Sequence, residues 1–110
     1  MTYFNPYQSR SQTNVVEPIH DTDSTLYYIF LDNPGSQEAF IHYWSFPVQP
    51  DPATVPPLFS IRVDARSERV IPFNNPISVA FPGWCYATND IDPTGGGAPQ
   101  SPQIVLVSYL

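Results

Sequence analysis

The side chains able to do chemistry are few and scattered. His20-Asp21 and Asp23 sit close together, but in a polar stretch with nothing to desolvate them. His42 lies in an aromatic run and reads as a packed histidine rather than a base. Cys85 with His42 and an aspartate can be drawn as a nucleophilic triad, because a thiol needs an adjacent base to become a nucleophile. No local motif around Cys85 supports that drawing. As a lone cysteine it offers no intrachain disulfide and no thiolate metal cluster. Asn89-Asp90-Ile91-Asp92 alternates oxygen ligands like the opening of a calcium loop, yet lacks the glycine and bidentate glutamate that must follow. Asx-type turns account for it better. No catalytic residue, metal site or cofactor is expected. Trp44, Trp84 and several tyrosines remain as a possible sugar-stacking platform, although aromatics in a small domain more often fill a core or an interface.

The elements that must position these residues are β-strands. The chain has 110 residues, enough for one core. Fourteen prolines rule out a helical bundle, since proline breaks helix interiors. Thr25–Leu31 and Ala39–Phe46 are aromatic and β-branched runs separated by Asp32-Asn33-Pro34-Gly35 turn chemistry. In the second run Phe40, His42, Trp44 and Phe46 share one face, which is expected to be the core face. Leu58–Val63, Arg69–Phe73, Ile77–Phe81, Trp84–Thr88 and Ile104–Leu110 complete the set. Pro72 confines its strand to an edge or a strand end, and Asn74-Asn75-Pro76 punctuates it. Pro82-Gly83 reads as a tight turn, with glycine accepting positive φ. The total is about seven short strands without a helical pattern, which implies an all-β fold, a single antiparallel β-sandwich of jelly-roll type.

Met1–Ser24 shows no sustained period and reads as an extended arm, with residues 25–110 forming the sandwich. Tyr3, Phe4 and Tyr7 in that arm are candidate partner contacts. Two loops are long for so short a domain, and such loops are usually functional or interfacial. Pro47–Pro57 is stiff and rich in proline. Asn89–Gln103 carries Gly95-Gly96-Gly97 at a mobile tip. Pro50, Pro52, Pro56, Pro57 and Trp84 are the candidate loop contacts.

Charged residues make up 13% of the chain, about half the usual share. Either much of the surface faces protein, or it is polar and uncharged. There is no lysine, and the net charge is −6. That argues against nucleic acid or an anionic membrane as partner, because phosphate binding needs clustered positive charge. No secretion signal and no apolar run of spanning length is read in the sequence, so a cytoplasmic setting of assembly is expected.

The order of parts from Leu26 to Leu110 resembles small tailed-phage virion proteins of the capsid decoration (cement) or head-fibre kind. The matching pieces are Phe30-Leu31-Asp32-Asn33, the strand Phe40–Phe46 entering a proline-rich stretch, and Arg69-Val70-Ile71-Pro72-Phe73. Asn75-Pro76-Ile77-Ser78-Val79, Gly83 leading into Tyr86-Ala87-Thr88-Asn89-Asp90, Asp92, and the closing Val105-Leu106-Val107-Ser108-Tyr109 complete them. The proline content of Gln49–Pro57 and the stretch before Ser24 depart from that pattern. The resemblance implies a non-enzymatic virion component on the capsid surface, a homotrimer that binds the assembled major capsid protein lattice and stabilises the head. The other reading is a glycan- or receptor-binding β-sandwich module of a phage fibre or tail, for which Trp84→Ala removes sugar binding.

Overall fold

The computed structural model describes residues 5–20, 23–94 and 97–109, with side chains from residue 13 onward. Its strands are β1 (Asn5–Gln12), β2 (Glu17–His20), β3 (Ser24–Asn33), β4 (Ala39–Ser45), β5 (Phe59–Val63), β6 (Ser67–Val79), β7 (Gly83–Thr88) and β8 (Gln103–Tyr109). They form two four-stranded sheets, ordered β1-β8-β3-β6 and β2-β7-β4-β5, and every pairing is antiparallel. The all-β sandwich expected from the sequence is present. β1 pairs with β8, β2 with β7, β3 with β6 and β4 with β5. The chain is thus one long hairpin, rolled so that its successive pairs fall in alternate sheets.

The core lies between the sheets. Leu26, Ile29 and Leu31 of β3 and Val105 and Val107 of β8 face Ile41 and Tyr43 of β4, Ile61 and Val63 of β5 and Cys85 and Ala87 of β7. They recur at period 2, as a strand with one buried face requires, except across the β3 register shift between Leu26 and Tyr28. Tyr43 stacks on Phe59 with ring centroids 4.9 Å apart, and Phe59 meets Phe73 edge-on. At one end of the sandwich Asn33 ties three elements together. Its amide donates to the carbonyls of Gln37 and Val63, and its Oδ1 accepts Gly35 N–H and Gln103 Nε2.

Several expectations change. Within the arm expected over Met1–Ser24, residues 5–12 and 17–20 are strands in the two sheets. Asn5–Gln12 has no apolar period, so the sequence hides it. Its pairing rests on the backbone ladder to β8, whose edge would otherwise stand open. Tyr7 therefore sits opposite Val107 in a sheet, while Tyr3 and Phe4 lie outside the described residues. Arg69–Phe73 and Ile77–Phe81 are not separate strands but parts of β6. Pro72 and Pro76 are tolerated there because β6 is an edge strand, bonded on one side only. Asn74-Asn75-Pro76 forms a bulge instead of a break: β6 advances from Pro72 to Ile77 while β3 goes only from Tyr28 to Leu26.

Pro82-Gly83 is not a hairpin turn. It carries the chain from β6 in one sheet to β7 in the other. No described glycine has positive φ. Gly83 serves a different need, because a Cβ there would lie 2.3 Å from His20 Nε2. The face of β4 expected to enter the core is also the wrong one. Ile41 and Tyr43 enter it, and Phe40, His42 and Trp44 point to the outside of their sheet. They are buried all the same.

Candidate functional site

The outer face of the β2-β7-β4-β5 sheet carries a second apolar layer roofed by the two long loops. Trp44 is 1% exposed and His42 is fully buried. Their rings pack against Tyr86, at 5.7 Å from each centroid. The loops are pinned by side-chain bonds to strand residues. Trp44 Nε1 donates to Val55 O at 2.9 Å. Trp84 Nε1 donates to Phe46 O at 3.0 Å. Tyr86 Oη donates to Pro93 O at 2.7 Å, and Thr88 Oγ1 donates to Asp90 O at 2.6 Å. A loop laid over a sheet must satisfy its backbone groups, and these indole and hydroxyl donors do so.

The bonds fix the His42 tautomer. Thr88 has one hydroxyl proton, and it goes to Asp90 O. Thr88 Oγ1 therefore accepts from His42 Nε2–H at 2.8 Å. Nδ1 then accepts from the Ser60 hydroxyl at 2.6 Å. Burial lowers the His42 pKa, against the raising effects of the Asp90 backbone and the Asp92 and Asp90 charges. An unfolded histidine takes up its proton near pH 6.5, and the folded one resists until lower pH. His42 thus contributes stability that is full above about pH 6.5 and declines as the pH falls from there toward the lowered folded value. Denaturant midpoints should fall between pH 7 and 5 in the wild type and fall less in His42→Gln. Parallel curves for the two would contradict this account of His42.

The drawn triad does not assemble. Cys85 faces the core while His42 is on the other side of the same sheet. Burial, with a smaller contribution from Glu17, pushes the Cys85 thiol up to about 12. Native protein should therefore resist iodoacetamide at pH 8 and become alkylated only in denaturant; rapid native labelling would contradict this burial. Ser60 is hydrogen-bonded to His42 and is not part of the lining of the loop groove. The Asn89–Asp92 oxygens are spent on local turns. Asn89 Oδ1 accepts Gly97 N–H, Asp90 Oδ1 accepts Asp92 N–H, and Asp92 Oδ1 accepts Thr94 N–H. Those Thr94 bonds hold the Asp92 carboxyl below the ordinary range. Among the described residues no group of acidic, histidine or cysteine side chains is placed to hold a metal.

Where the loops approach each other they leave a groove of about 700 Å³. The β1–β2 connection supplies Asn14, Val15 and Val16, the proline-rich loop supplies residues 49–53, and Tyr86, Pro93 and Thr94 close it. The candidate loop residues divide between two places. Pro50 is buried, Pro52 is half-buried, and both line this groove. Exposed Pro56 and half-buried Pro57 stand instead beside Leu58, at the end of the sandwich where β4 stops. Half-buried Trp84 is near that end too, paired with Trp44 across the ladder. Gly95 and Gly96 fall outside the described residues. Val15-Val16 reads in the sequence as a pair that touches a neighbour or adds a short strand, and it lines the groove; Tyr86 was missed as a groove residue. Val15 is exposed and Val16 half-buried, an apolar pair in a polar stretch.

No protein-family model, no curated protein and no solved structure matches this chain.

Proposed function

We propose that the chain is a non-enzymatic virion protein that binds an assembled capsid lattice and stabilises it. The observation that carries the reading is the strand arrangement. One hairpin rolled into β1-β8-β3-β6 and β2-β7-β4-β5 sheets supports a jelly-roll reading of the sandwich, an architecture used by viral capsid and lectin domains. The loops support a protein partner. They build a proline-walled groove with a mixed polar and apolar lining on one sheet, and a stiff groove loses little entropy when a partner docks. The polar side chains of enzymes are here consumed in packing, as His42 and Cys85 illustrate.

In this reading the groove between Val15, Pro50 and Pro52 meets the major capsid protein. Binding to the assembled lattice but not to free subunits then stabilises the shell by mass action. Support for the glycan reading is weaker. A stacking platform needs open aromatic faces; Trp44 and Tyr86 are only 1% and 8% exposed, and Trp84 is half-buried with its indole N–H held by Phe46 O.

Quantitative mass spectrometry of particles purified from cells producing the chain tests the proposal. A fixed ratio to the major capsid protein is expected. Loss of the chain during particle purification, with none remaining bound, would overturn it.

A further inference from the structure

The two loops that wall the groove repeat one local design. Asp51-Pro52-Ala53 and Asp92-Pro93-Thr94 are both Asp-Pro turns. In each, the aspartate Oδ1 accepts the backbone N–H two residues on, from Ala53 at 3.0 Å and from Thr94 at 2.9 Å. Each turn closes on its own carboxylate, and the proline inside it lines the groove. The Oδ2 atoms take no part in these bonds. Asp51 itself lines the groove, and Asp92 immediately precedes two lining residues. Among the described side chains no cation answers these charges. Arg62, Arg66 and Arg69 do not line the groove. Arg62 pairs with Asp64 at 3.3 Å and approaches Glu38 at 3.9 Å, and Arg69 donates to Arg62 O.

We propose that the groove takes a short segment of a protein partner that bears an arginine or lysine beside an apolar side chain. The cation is set against Asp51, with the Asp92 charge reinforcing it. Charge complementarity selects this occupant. A groove with carboxylates and no counter-charge, on a chain of net charge −6, draws in cations and turns acidic or phosphate-bearing surfaces away. The walls fit the same side chains. Arginine and lysine lay long methylene stems on apolar surface and keep the charged head at its partner, and Pro52 and Pro93 offer that surface beside the two carboxylates. Val15 and Val16 are left for the neighbouring apolar side chain. The volume of about 700 Å³ lies within the range of about 300–1,000 Å³ usual for ligand sites. It admits a few side chains and not a folded domain. The proposal deepens the lattice reading and rests on it only for the partner's being a capsid subunit.

Selection of a random peptide library on the immobilised full chain tests this. The selected peptides should be enriched in arginine or lysine next to apolar residues, and their binding should weaken as salt is raised. Asp51→Asn separates the charge from the turn, because an asparagine carbonyl still accepts the Ala53 N–H. That variant should bind the selected peptides about tenfold more weakly, as loss of a charge-assisted bond requires, with unchanged circular dichroism. Asp92→Asn should lose less. Glu38→Gln, beside Arg62 and outside the groove, should bind them as the wild type does. Selected peptides without basic residues, equal affinity in Asp51→Asn, or no binders from the library would each overturn the proposal. The lattice reading fails separately: basic peptides that bind the groove while capsid shells do not would overturn that reading and leave this one standing.

Discussion

Trp44→Ala is expected to remove about 3–5 kcal/mol of stability, the usual range for a large aromatic truncated in a packed site. Whole domains are stable by only about 5–15 kcal/mol, so the variant should be near the edge of folding. The loss does not come from the sandwich core. Trp44 lies outside it, on the sheet face that the loops cover, yet it is only 1% exposed. It packs on Tyr86 and His42 and holds the proline-rich loop through Val55 O. Removing it leaves a cavity under the loop and frees the segment carrying Pro50 and Pro52. Trp44→Phe keeps most of the apolar area but loses the indole donor, and should cost less. Urea midpoints of the three proteins measure the effect. A loss below about 1 kcal/mol for Trp44→Ala would mean that the outer layer is not packed like an interior.

Gly83→Ala should destabilise by about 1–3 kcal/mol, the cost of forcing a methyl group into filled space. The site is not an ordinary glycine turn. The new Cβ would meet three atoms of the His20 ring, at 2.3, 2.6 and 2.9 Å. That ring cannot step aside cheaply. It is 5% exposed, bonds Tyr43 Oη at 2.9 Å and packs against Tyr109. The clash is specific to one pair, so it has a specific signature. In His20→Ala the second change Gly83→Ala should cost little, giving a coupling of about 1–3 kcal/mol in the double-mutant cycle. Additive losses would show that Gly83 is needed for its backbone and not for the ring above it.

The strand set was legible where apolar residues repeat at period 2. Thr25–Leu31, Leu58–Val63 and Ile104–Leu110 all appear close to their sequence-read bounds as β3, β5 and β8. What escaped was information that only neighbours supply. Asn5–Gln12 has no pattern of its own and becomes a strand because β8 offers it a ladder. In β4 both faces are apolar, and alternation alone cannot say which one meets the other sheet. The loops decide it, by covering His42 and Trp44 from outside. Gly83 carried a turn signal in sequence but answers to His20, more than sixty residues away. The groove followed the same logic. Its proline wall was visible as a stiff loop, while Tyr86 looked like any strand tyrosine until Pro93 folded over it.

The central claim is that the chain binds an assembled lattice through its loop groove. Co-sedimentation with assembled shells of the major capsid protein, run beside the unassembled subunit, tests it most directly. The account predicts saturable binding to shells, none to free subunits, and loss of shell binding in Val15→Glu with the fold intact. Equal binding to shells and free subunits, or undiminished shell binding by Val15→Glu, would contradict it.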